Sequence, residues 1–151
     1  MYKIKWNVHP SKHVVYLKKL TSDNGAPISI EIQSKKDTQL RLTVDNNCLN
    51  GILQIDIDKE DYIRRIQQNY MENIEEKNIY EFKKLKLSER GRFYLVINLI
   101  GTICGRETIL ASVISHKIIS YSHKNLLPTI LKSRCNFEIK TTETQTTETR
   151  Q

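Results

Sequence analysis

The chain has 151 residues, 38% hydrophobic and 27% charged, which supplies enough apolar material for one packed domain and excludes wholesale disorder. Its 24 Lys and Arg outnumber 17 Asp and Glu, for a formal net charge of +7 that favours polyanionic partners. No apolar stretch approaches the ~20 residues that cross a bilayer, and the opening MYKIKWNVHP lacks an apolar secretory segment, so a soluble intracellular domain with no membrane partner is expected.

Most of the chain alternates apolar and polar residues with a period of two, the pattern of strands buried on one face. Ile4, Trp6 and Val8 point away from Lys3, Lys5 and Asn7. Val14 to Leu20 is a less regular candidate, closed by the turn-forming run Ser22-Asp23-Asn24-Gly25. Ile28, Ile30 and Ile32 form the next strand, then Leu40, Leu42 and Val44 up to a turn at Asn46-Asn47, then Leu53, Ile55 and Ile57. From Asp58 to Asn78 the period changes. Ile63, Ile66, Tyr70 and Ile74 recur at three- and four-residue spacing behind Asp58 and Asp61, which predicts a short amphipathic helix or partly ordered crossover packed on the strands.

Beyond it, Leu85 and Leu87 flank Lys86, and Phe93, Leu95, Ile97 and Leu99 line one face of the most apolar strand. Gly101 and Gly105 bracket Thr102-Ile103-Cys104 as a hairpin connection. Ile109 to Ile119, dense in β-branched residues, is expected to be buried on both faces. Many short strands with regular turn signals predict an all-β antiparallel sandwich over residues 1–140. The remaining TTETQTTETRQ, residues 141–151, is low in complexity and expected to be disordered.

Charge is unevenly distributed. Residues 1–57 hold 8 basic and 5 acidic groups, residues 58–80 hold 4 and 6, and residues 81–151 hold 12 and 6. The basic excess thus concentrates toward the C-terminal end, which points to nucleic acid first and acidic surfaces second.

Catalytic and metal-binding patterns are few. The three cysteines, Cys48, Cys104 and Cys135, lie far apart and are odd in number, so a disulfide framework is not expected. His9 and His13 would face one another on a helix, but Pro10 and the strand pattern oppose that geometry. There is no Cys-x-x-Cys, phosphate loop or Gly-x-Ser-x-Gly elbow, so neither a cofactor nor an enzyme is the leading expectation. The exception is Asp56 and Asp58, two carboxylates on one strand face that could hold magnesium for phosphodiester cleavage. A solvated strand edge running into an acid-rich helix start explains the same residues.

The segment from Leu85 to Asn125 reads LKLSERGRFYLVINLIG, a short loop, then LASVISHKIISYSHKN. It resembles the end of the DNA-binding domain in the PhoG-type and myelin regulatory factor family, within the tumour-suppressor-like, immunoglobulin-fold transcription factors. Leu85, Leu87, Ser88 and Glu89 match the family's first strand there. Arg92, Phe93, Leu95, Val96, Ile97 and Leu99 match its second, and Leu110, Ala111, Ile114, Ser115, Ile118 and Ile119 its third, with Lys117 where the family carries Arg or a similar residue. The chain departs from the pattern at Ser120-Tyr121, where the family has Val-Arg, at Lys124-Asn125, and in a basic loop shortened to Arg90-Gly91-Arg92.

The resemblance implies an immunoglobulin-like β-sandwich that binds double-stranded DNA in the nucleus as a transcription factor, with Arg90, Arg92, Lys117, Tyr121, His123 and Lys124 on its DNA-facing loops. Lys132 and Arg134 would extend the rim if they share that end of the sandwich. An arginine can grip a guanine edge with two parallel bonds and Tyr121 cannot, so the implied contacts are mainly to phosphate. Two other readings stand beside it: a non-catalytic protein-interaction module that has lost base recognition, and a magnesium-dependent nuclease around Asp56 and Asp58.

Overall fold

The computed structural model describes residues 1–45, 52–57, 61–123 and 126, with the backbone alone at 45 and 52–56. The turn expected at Asn46-Asn47, together with Asp58, Lys124, Lys132, Arg134 and the tail at 141–151, lies outside the described residues. Among the described residues, eleven strands account for nearly all of the regular structure: β1 Lys3–Val8, β2 His13–Val15, β3 Ser29–Lys35, β4 Leu40–Asp45, β5 Ile52–Asp56, β6 Ile63–Glu72, β7 Glu75–Phe82, β8 Gly91–Phe93, β9 Val96–Ile103, β10 Arg106–Ile114 and β11 Ile118–Tyr121. They form three sheets, ordered β1-β3-β7-β6, β10-β9-β4-β5 and β2-β11-β8. All pairings are antiparallel except that of β2 with β11. No helix among the described residues is long and apolar enough to cross a membrane.

The expected all-β sandwich forms, and its core is the sum of the alternating apolar faces. Ile28, Ile30 and Ile32 from β3, Tyr80 and Phe82 from β7, Leu42 and Val44 from β4, and Ile97 and Leu99 from β9 join Leu95, Phe93, Val14 and Ile118 in one cluster. Phe93, Leu95, Ile97 and Leu99 are all buried as expected, with Tyr94 between them exposed, but they do not share one strand: β8 ends at Phe93 in the third sheet and β9 begins at Val96 in the second. Ile100 on the alternate face is buried as well. β9 and β10 are joined by a two-residue turn at Cys104 and Gly105, both at positive φ, the left-handed geometry that matches the twist of a tight hairpin.

The helix expected between Asp58 and Asn78 does not form. In its place β6 and β7 make a long antiparallel hairpin. Of the supposed helical stripe only Ile63 is buried, whereas Ile66, Tyr70 and Ile74 are exposed. The deciding pattern lies on β7, where Asn78, Tyr80 and Phe82 alternate inward. β6 pairs with that strand through two register shifts, between Arg65 and Gln67 and between Tyr70 and Glu72. Each bulge adds a residue and turns a period of two into an apparent three or four.

The run from Ile109 to Ile119 is likewise not one doubly buried strand. β10 stands at the edge of its sheet with Ile109 and Ile114 exposed, and the chain then crosses at Ser115-His116-Lys117 to the third sheet. Registers show how. Ile114 lies opposite Val96 and Ile118 opposite Phe93, so three residues face the two residues Tyr94 and Leu95. Buried Ser115 holds this kink: its N–H donates to the Leu95 carbonyl at 2.8 Å, and its Oγ accepts from the Leu95 N–H at 2.9 Å. Ser115→Ala leaves that buried N–H without its acceptor and should cost about 1–3 kcal/mol in denaturant unfolding. A loss below experimental error would mean that the junction is held by the sheets alone.

Candidate nucleic-acid interface

The third sheet collects most of the residues singled out in the sequence. Ile119 on β11 lies opposite Arg92 of β8 on one side and His13 of β2 on the other. Ile118, Ser120, Val14 and Phe93 are buried toward the core, so alternation puts Lys117, Ile119, His13 and Arg92 on the opposite face. The Arg90 guanidinium carbon stands 5.9 Å from the centre of the Tyr16 ring, a cation–π distance. The Tyr16 N–H donates to the Tyr121 carbonyl at 2.9 Å, which brings Arg90 to the end of β11. Arg90, Arg92 and Lys117 are all exposed, as is His123 just beyond the strand.

Tyr121 is different. It is only 6% exposed, its hydroxyl shares a hydrogen bond with His13 Nδ1 at 2.9 Å, and the two rings sit 5.7 Å apart. The phenol is therefore a packing element linking β11 to β2, not the surface side chain expected from its place among cationic residues. Its partner is 108 positions away in the sequence, beyond the reach of any local pattern.

Pairing also assembles a cationic strip that sequence reading missed. β2 ends in a turn, with the Lys18 N–H bonded to the Val15 carbonyl, and the chain then runs beside residues 85–87. The Leu17 N–H donates to the Leu87 carbonyl, the Leu20 N–H donates to the Leu85 carbonyl, and Lys19 forms a bridge opposite Lys86. Leu20, Leu85 and Leu87 are buried, leaving Lys18, Lys19 and Lys86 exposed. Together, residues 12–20 and 83–92 carry Lys12, Lys18, Lys19, Lys83, Lys84, Lys86, Arg90 and Arg92 against the single acid Glu89, a local excess equal to the net +7 of the whole chain. The lysine pairs stand far apart in sequence, so the only signal was their composition, which linear counting divided between two segments.

At the centre of this strip Leu17 is 53% exposed and held at φ 66°. That left-handed conformation crowds the Cβ of an L-residue against its own backbone and is ordinarily left to glycine. At one end of the sandwich, His9 stacks on His116 with ring centroids 6.4 Å apart, and Trp6 lies 6.1 Å from His9 and donates its Nε1–H to the Ile114 carbonyl at 3.1 Å. The loops bearing these histidines also bear Lys12 and Lys117. His9 thus pairs with His116, and His13 with Tyr121, rather than with one another.

Among the described residues no three His, Cys, Asp or Glu side chains gather closely enough to hold a metal ion. Asp56 ends β5, where only the backbone is described, and Asp58 lies outside the described residues, so the magnesium pair has no described geometry. No protein-family model matches the chain, and no curated protein matches it.

Proposed function

We propose that this chain is a DNA-binding domain of a transcription factor, acting in the nucleus and gripping the duplex through its phosphates along the strip formed by residues 12–20, 83–92 and 117. The observation that carries this reading is Lys19 standing opposite Lys86 within a strongly basic patch. Like charges facing across an antiparallel bridge repel, and a polyanion laid over them removes the repulsion while releasing its own counterions. The likeness of Leu85 to Asn125 to the regulator family supports the same conclusion. With Tyr121 buried against His13, little remains to read base edges, so discrimination among sequences is weak and the contacts are to the backbone.

Titrating a labelled duplex at increasing salt, with and without magnesium, tests the reading. Binding that falls linearly in log–log form with salt, and does not require magnesium, is the expected result. No binding at low salt would end the DNA reading and leave the interaction module, and magnesium-dependent cutting would make Asp56 and Asp58 the site.

Leu17 belongs to the same surface. Replacing it by Gly should raise stability by about 1 kcal/mol, because glycine accepts the left-handed conformation without the steric cost. The same change should weaken duplex binding by removing an apolar side chain from the strip. Thermal denaturation and the duplex titration read the two effects separately, and a lower melting midpoint would show that the leucine carries packing the exposed geometry does not suggest.

A further inference from the structure

β6 is the outermost strand of the first sheet, and among the described residues no strand lies along its outer edge. Apart from Ile63 at its start and half-buried Gln68 at its middle, every residue of β6 is exposed, including Ile66 at 42% and Tyr70 at 68%. A long edge with apolar side chains and unpaired backbone groups is a template for another strand.

Its sequence, IRRIQQNYME, complements itself in the antiparallel sense. With Gln68 set opposite Gln68 of a second copy, Arg64 falls opposite Glu72, Ile66 opposite Tyr70, and Gln67 opposite Asn69. The faces agree as well. Pairing with β7 puts Arg64, Gln67, Asn69 and Glu72 on one side of the sheet, opposite Glu81, Ile79, Lys77 and Glu75, and puts Arg65, Gln68 and Tyr70 on the other. A twofold axis perpendicular to the sheet through Gln68 returns each face to itself, so charge meets opposite charge on one side and the central glutamines meet on the other.

We propose that β6 is a dimerisation edge, pairing antiparallel with β6 of a second copy to make one continuous eight-stranded sheet from two four-stranded ones. The electrostatics of the single chain favour it. Glu72 lies opposite Glu75 across the hairpin, whose carboxylate is already engaged by Gln33 and the Met1 ammonium, and an arginine from the second copy gives Glu72 an opposite charge across the new edge. Arg64 already contacts Glu81 through Nη2 at 2.6 Å, but a guanidinium has five N–H donors and serves a second carboxylate without giving up the first. The two bulges disfavour pairing with an arbitrary straight strand. In the symmetric register each Ile66 bulge falls within one residue of the Met71 bulge of the second copy, so the irregular edge fits its own copy. The proposal is independent of the DNA reading.

Sedimentation equilibrium on the full chain, with the Arg64→Glu and Glu72→Arg variants, tests it. Wild-type protein should dimerise reversibly, and each single reversal, which creates two like-charge contacts per dimer, should weaken association by about tenfold or more. Mixing the two variants should restore it, because positions 64 and 72 facing one another across the mixed dimer then always hold one acid and one base. Circular dichroism on each variant shows that the fold is kept. A wild-type monomer at every concentration overturns the proposal, including the case where another segment of the chain occupies the edge. So does a dimer indifferent to both reversals, or a mixture that fails to recover.

Discussion

Replacing Lys19, Lys86, Arg90 and Arg92 together by Ala should reduce duplex affinity by about a hundredfold at moderate salt and flatten the salt dependence by ~0.9 in log–log slope for each phosphate left without its cation. These four come from two segments brought together by the backbone bonds of Leu17 and Leu20 to Leu87 and Leu85, the bridge between Lys19 and Lys86, and the approach of Arg90 to Tyr16. All four are exposed, so the fold should survive and the melting midpoint should hold or rise as mutual repulsion is removed. The loss should be nearly equal on unrelated duplex sequences, because phosphate contacts carry no base information. Loss on one sequence with retention on others would show that these side chains read bases. Unchanged affinity would place the contact surface elsewhere.

Tyr121→Arg should unfold the domain or destabilise it by roughly 3–5 kcal/mol, since it puts an unpaired charge where a phenol is buried and removes the hydrogen bond to His13. An arginine here would add base preference only if its side chain reached solvent, and the burial of this position prevents that. Tyr121→Phe keeps the ring and removes the hydroxyl alone, so it should cost about 0.5–1.5 kcal/mol. Urea unfolding of both variants separates lost packing from lost hydrogen bonding. An arginine variant as stable as wild type, with a new preference for one base, would return Tyr121 to the DNA-facing surface.

The fold was legible wherever one strand face is buried without interruption. Ile28, Ile30 and Ile32 announce both the strand and its register because a period of two has no helical counterpart, and Phe93 to Leu99 announce the buried face though the chain there passes from β8 to β9. Legibility failed where bulges break the period, as in β6, and where a strand changes sheets, as at Ser115. Both are decisions made by the pairing partner rather than by the strand itself. The candidate surface was half legible. Arg90, Arg92 and Lys117 were visible as a local excess of charge, whereas Lys18, Lys19 and their neighbour Lys86 become one feature only after Leu17 and Leu20 bond to Leu87 and Leu85. Tyr121 could not be placed at all without His13.

The parallel joining of β2 to β11 bears on how the molecule comes into being. His13 meets Ile119, and Val15 meets Tyr121, so β2 waits for a partner made roughly a hundred residues later in the chain. Until then β2 has no partner strand and is not joined to β8. Such distant closure slows folding relative to a chain of local hairpins. It also makes the third sheet a feature of the finished fold alone: a nascent or nicked chain that lacks β11 leaves β2 and β8 unjoined.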